Sequence, residues 1–168
     1  METIFEALRS DHSAQRELVA KLTSTTGASD DRAALFQELK AQLSAHAGAE
    51  ERYFYNPLLE HDVSQTHARH SVAEHKEIDD FVEKLESTDM SSSQWLLSAR
   101  ELEDRLIHHL DEEELEIFPV AGKALADGSK AELARLYTED MTRRLNEPRQ
   151  PISESVEPSI LASGTDDS

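Results

Sequence analysis

Two stretches of this chain place a histidine four residues ahead of a glutamate: His46–Glu50 inside LKAQLSAHAGAEERYFYNP and His109–Glu113 inside LEDRLIHHLDEEELEIFP. On a helix that spacing puts both side chains on one face, about one turn apart. Each copy follows an apolar helical run, continues into a second glutamate and aromatic or large apolar residues, and ends at a proline. Imidazole nitrogen and carboxylate oxygen together suit transition-metal ions, and two such pairs in one small helical chain point to a metal centre held between helices.

The elements that must position these pairs follow from the apolar period. Residues 3–23 form a first helix, with Phe5, Leu8, His12, Gln15, Val19 and Leu22 recurring at three- and four-residue steps. A turn at 24–30, where Ser29 or Asp30 can cap, leads to a second helix over 31–56 with the stripe Leu35, Leu39, Leu43, His46, Glu50 and Phe54. A third helix over 64–87 carries Ala68, Val72, His75, Ile78, Val82 and Leu85, and a fourth over 92–118 carries Trp95, Ala99, Leu102, Leu106, His109 and Glu113. Pro119 interrupts the pattern before a short helix at 120–126, and a fifth helix over 129–146 carries Leu133, Leu136 and Tyr137. The fold class is therefore all-α. We expect an up-down-up-down four-helix bundle over 1–126, a helical extension over 127–146 and a disordered Pro/Ser-containing tail over 147–168. The extension would pack outside the bundle or against a partner.

The same stripes sort the eight histidines. His12, His46, His75 and His109 lie on the apolar stripes of four different helices. His61 falls in a loop, His67 and His70 lie off the third stripe, and His108 sits with Glu101, Asp104 and Glu112 on the polar face of the fourth helix. A lone inward histidine is ordinarily a satisfied core residue; one per helix is a pattern. Counted along antiparallel helices at 1.5 Å per residue, the four histidines and both glutamates fall within roughly one or two turns of one level. Two carboxylates facing a core need neutralising charge. Six donors exceed a tetrahedral zinc site and suit two ions with the glutamates bridging them. Neutral imidazoles and carboxylates favour iron, zinc, manganese or copper over calcium.

Composition narrows the partners. Acidic residues outnumber basic ones 35 to 17, a formal charge of −18, so nucleic acid and anionic membranes are excluded as expected partners. The absence of cysteine removes disulfides, thiolate metal sites and cysteine nucleophiles. METIFEALRSDH reads as an amphipathic helix start rather than a signal peptide, and no segment has the ~20 apolar residues of a membrane span, so the expectation is a cytoplasmic protein.

At the residues above, the chain resembles the hemerythrin-like, or HHE cation-binding, family over about residues 1–120. The four matching motifs are SDHSAQRELV, HAGAEERYFYNPLL, AEHKEIDDFVEKL and HLDEEELEIFP. The resemblance implies a non-haem centre of two iron ions, with manganese or zinc as substitutes. Its ligands would be His12, His46, Glu50, His75, His109 and Glu113, with Glu50 and Glu113 bridging. It also implies a protein that binds, senses or reacts with O2, peroxide or NO. The alternatives are a catalase-like enzyme and an iron-storage or sensing module that meets a protein partner through its last helix or tail. Two departures stand out. Oxygen-carrying members place a second histidine four residues before the third-helix ligand, where this chain has Ser71, which leaves an open or water-filled position or a role for Glu74; His70 points away. Asn56 delays the second-helix proline by one residue, with no effect expected on the ligands. Among the flanking residues, Glu51 or Glu112 could brace the ligand imidazoles, Glu114 belongs to a solvated face, and Tyr53 and Tyr55 read as core aromatics, with a place near an oxygen intermediate as the alternative.

Overall fold

The computed structural model describes residues 1–147; the predicted disordered tail, from residue 148 onward, lies outside them. The described residues are helical, with no strand. Helix α1 (Ile4–Thr23) starts where Glu6 accepts a 2.7 Å hydrogen bond from the Thr3 N–H, half of a capping box. Helix α2 (Asp30–Glu50) is capped by Ser29, whose Oγ accepts from the Arg32 N–H, with Asp30 and Asp31 favourably placed in the first turn. Gly27, at φ +62°, makes the turn between them.

Helix α2 runs on through a π-helical turn, Glu51–Tyr55, into the short α3 (Asn56–Leu59). After α4 (Asp62–Glu86) and α5 (Ser93–Glu112), capped by Ser92 through the Trp95 N–H, the same sequence of events recurs: a π turn at Glu113–Ile117, then α6 (Phe118–Ala124). In each turn an i→i−5 bond closes the ladder, Asn56 N–H to Glu51 O and Phe118 N–H to Glu113 O. The cause is visible in the sequence. Pro57 and Pro119 lack an N–H and crowd the carbonyl one turn back, and a widened turn accommodates both problems without breaking the helix. Each π turn ends two residues before its proline. The first π turn starts one residue after Glu50, whereas the second starts at Glu113 itself; that offset accommodates the extra residue before Pro57, and Pro119 redirects the backbone bonds while the helix continues as α6.

The order of features along each helix shows how the bundle is assembled. Helix α1 contributes Ile4 and Leu8 to one apolar cluster, then His12 and Gln15, then Leu18, Val19 and Leu22 to a second cluster. Helix α2 runs the other way, from Phe36, Leu39 and Leu43 through His46 to Glu50 and Phe54. Helix α4 repeats the sense of α1, and α5 that of α2. The helices therefore alternate up and down, and a polar layer lies between two apolar ends. The distal end is tied by Trp95, whose indole N–H donates to Leu85 O, and by buried Arg32, which reaches Thr25 and the Met90 carbonyl.

Helix α7 (Asp127–Asn146) packs on α1 and α2, burying Ala134, Tyr137, Asp140 and Met141. Gly48 makes room there: a Cβ on it would lie 2.3 Å from the Arg144 guanidinium, which is paired with Asp140. Of the two packing modes open to the last helix, this is the one against the bundle. One stripe position differs from expectation. Val72 is exposed and Ser71 is buried in its place, because the inward face of α4 runs Ala68, Ser71, Glu74 and His75. No described helix is long and apolar enough to cross a membrane.

Candidate metal centre

The structure brings His12, His46, Glu50, His75, His109 and Glu113 into one layer between the two apolar clusters, and all six are buried. Their donor atoms form two groups. His12 and His46 join both glutamates in one, and His75 and His109 join the same two glutamates in the other. Each glutamate faces one histidine from each half. Glu50 Oε2 lies 3.4 Å from His46 Nε2 and 3.2 Å from His75 Nε2; Glu113 lies 3.3 Å from His12 Nε2 through Oε2 and 3.6 Å from His109 Nε2 through Oε1. Despite these approaches, all four Nε2 atoms, both Glu50 oxygens and Glu113 Oε2 lack a hydrogen-bond partner.

The other nitrogen of every ring is occupied. His12 Nδ1 meets Glu114 at 2.9 Å, His75 Nδ1 meets Glu51 at 3.0 Å, His109 Nδ1 meets Glu74 at 2.9 Å, and His46 Nδ1 meets the Tyr137 hydroxyl at 2.7 Å. An ionised carboxylate only accepts, so three of the rings carry their proton on Nδ1. Tyr137 donates its own proton to Asp11, so it too accepts from its histidine. The result is four rings that each donate outward from Nδ1 and turn Nε2 inward, as outer hydrogen bonds to metal-ligating histidines generally arrange. Tyr55, buried beside them, donates to Glu113.

Electrostatics argue for a cation in the layer. Burying a carboxylate carries an effective penalty of several kcal/mol, whereas a hydrogen bond returns about 1 kcal/mol net. The outer hydrogen bonds end on the rings, and Tyr55 alone reaches a glutamate. Burial and the neighbouring Glu50 charge push the Glu113 carboxyl well above the usual carboxylate range. Glu50 is held well below it, because His46 and His75 outweigh its own desolvation. Burial drives His12 down to about 4, with His46 adding to the effect. Burial opposes the His46 cation as well, but Glu50 and Asp11 prevail and raise it to about 9. Such a set, two carboxylates and four imidazoles whose inward Nε2 atoms lack hydrogen-bond partners, fits a pair of transition-metal ions by donor chemistry.

A cavity of about 210 Å³ leads to this layer from the surface between α2 and α4, which touch each other little. Leu43, Ile78, Val82 and Leu106 line it together with the polar Lys40, Ser44, Asp79, Glu83 and Glu86, and it reaches His46, His75 and His109. Gln15 also lines it, fully buried, with neither amide atom hydrogen-bonded.

Several of these residues carry roles that the sequence stripes did not assign. Glu114, placed on a solvated face, is the His12 partner and is braced by Arg16 at 2.8 Å. Glu74 holds His109 from outside the layer and is not a further donor within it. Glu51 does brace His75, whereas Glu112 lies away from the layer beside His70 and His108. His70 stays outside as well. Tyr137 comes from the fifth helix, and its only sequence signal was a place on that helix's apolar stripe. Ser71 is buried with its hydroxyl unpartnered, one turn before His75.

The family model described as hemerythrin HHE cation binding domain matches residues 3–121. Among solved structures, the chain is similar to the crystal structure of a hemerythrin HHE cation binding domain-containing protein from Mycobacterium kansasii. That likeness has 25% sequence identity and a TM-score of 0.79, and it covers 86% of this chain and 88% of that chain. A share of 86% of 168 residues is about 144 residues, more than the 119 from 3 to 121, so it extends past the family-matched segment. Comparison with curated proteins finds no match.

Proposed function

The chain belongs to the hemerythrin HHE cation-binding domain family, and from that premise we propose that it is a non-haem di-iron protein that binds or reacts with a small oxidant: O2, peroxide or NO. The observation that carries this reading is the pair of donor groups sharing Glu50 and Glu113. His12 and His46 would hold one ion, His75 and His109 the other, and the two glutamates both. Bound iron would supply a redox-active centre with affinity for such molecules.

The protein's own groups have separable tasks. Glu114, Tyr137, Glu51 and Glu74 fix the four rings with Nε2 turned inward. Tyr55 orients Glu113. The cavity gives a small molecule a route to the layer past Leu43, Ile78, Val82 and Leu106, and Gln15 offers a free donor and a free acceptor to it. That route favours chemistry on a small molecule over a purely structural use of metal.

The test is to load the full chain with Fe2+ anaerobically, measure iron content, and follow absorption on adding O2, peroxide or NO separately. The reading expects iron uptake, bands that change with at least one of the three, and a loss of one iron per chain together with that response in His75→Ala. Steady peroxide consumption would make the protein an enzyme rather than a binder. Iron uptake with no response to any of the three would contradict the proposed reactivity, and no uptake would contradict the centre itself.

A further inference from the structure

The His-x-x-x-Glu phrase that builds the buried layer occurs twice more, as His70–Glu74 on α4 and His108–Glu112 on α5. These helices pack side by side, so the two phrases meet on one outer face. His70 Nε2 and His108 Nε2 each lie 3.3 Å from an oxygen of Glu112, one on Oε1 and the other on Oε2. Glu74 Oε1 completes the group, 3.7 Å from His70 Nε2 and 4.0 Å from His108 Nε2. Donor atoms of His70, Glu74 and Glu112 all lie within 4.8 Å of one another.

Glu74 separates this cluster from an ordinary patch of surface charge. Its side chain is 2% exposed. One oxygen, Oε2, is taken by His109, and the other, Oε1, is buried, has no hydrogen-bond partner and is aimed at the two imidazoles. Arg105 comes no closer to it than 3.9 Å and bonds Glu77 instead. The two histidines are 52% and 60% exposed. Exposed ion pairs contribute about 0–1 kcal/mol, too little to account for a desolvated carboxylate oxygen left without a donor.

We propose that His70, Glu74, His108 and Glu112 form a second, solvent-accessible site for one divalent transition-metal ion. Two imidazoles and two carboxylates are a four-donor nitrogen and oxygen set suited to Zn2+ and its neighbours in the first row. Ca2+ and Mg2+, which prefer oxygen donors only, are disfavoured. This site does not depend on the buried layer holding iron.

Zn2+ is the probe, and site-resolved detection separates the two centres. Crystals of the full-length protein grown with Zn2+, measured at the zinc edge, should show an anomalous peak within bonding distance of His70 Nε2 and His108 Nε2. The double variant His70→Ala/His108→Ala, altered only at exposed positions, should lose that peak, and its Zn2+ stoichiometry by equilibrium dialysis should fall by one. Its iron content in the buried layer should match the wild type. No peak at this face, or a peak and stoichiometry unchanged in the double variant, would overturn the proposal. A peak here in a protein that takes up no iron would leave this site standing and refute the di-iron reading instead.

Discussion

The two halves of the buried layer share their inner donors and differ in what surrounds them. On the α1–α2 side, His12 is fixed by Glu114, itself pinned by Arg16, and packs face-to-face on Phe118 at 5.9 Å; His46 is fixed by Tyr137 and, through it, Asp11. That half packs against the aromatic end of the bundle and α7. On the α4–α5 side, His75 and His109 are fixed by Glu51 and Glu74, and Glu74 looks outward onto the His70–Glu112 cluster. Both of these histidines line the cavity, as does His46 of the other half, and His12 does not. The contrast leaves His12 closed off from the cavity, while both histidines of the α4–α5 half and His46 face it.

The largest effect should come from a change that erases the contrast. Glu113 faces a histidine of each half, so Glu113→Ala should abolish loading of both ions together, read as metal per chain after dialysis. Retention of one tightly held ion would show that the halves are not joined through this carboxylate. Next in size are the outer partners. Tyr137→Phe and Glu51→Gln should each lower affinity roughly 10- to 100-fold, the range for lost outer-shell bonds, and each in its own half alone. Tyr137→Phe should also destabilise the fold by about 1–3 kcal/mol, because Asp11 and His46 lose a buried partner; a denaturant titration measures that. Glu51, only partly buried, should show no comparable loss of stability.

These outer partners mark the limit of what the sequence made legible. The inward donors could be read because a side chain that serves the core must keep the apolar period, and His12, His46, His75 and His109 do. Glu51, Glu74 and Glu114 sit beside that period, where a glutamate bonded to a ring nitrogen has the same spacing as a solvated one. Tyr137 stands 91 residues from its partner His46, and nothing local links them. The π turns were half-visible: Pro57 and Pro119 announced a disturbance, but a proline alone does not say whether a helix ends or widens. The alternation of apolar clusters with one polar layer, by contrast, was carried by short-range periodicity and is what the structure has.

A smaller effect concerns pH. In the metal-free layer His46 titrates near 9 and Glu113 well above the usual carboxylate range, so both hold protons that an incoming ion must displace. Uptake should therefore release protons, and apparent affinity should rise as pH increases from about 6.5 toward about 9, measured by competition with a chelator. His12, lowered to about 4, adds nothing to that window. Affinity that is flat across it would show that Glu50 does not keep His46 protonated. Smallest of all is His108→Ala, which should leave both buried ions in place even though His108 is the sequence neighbour of His109. Loss of a buried ion on that change would mean that the α5 register has been misassigned.

The most direct test of the central claim, one layer with two halves and shared bridges, is iron per chain in three proteins loaded identically: wild type, His12→Ala and His75→Ala. Two irons in the wild type and one in each variant would support it, with anomalous scattering placing the retained ion in the half that still has both histidines. A wild type that holds a single iron, or either variant still holding two, would contradict it.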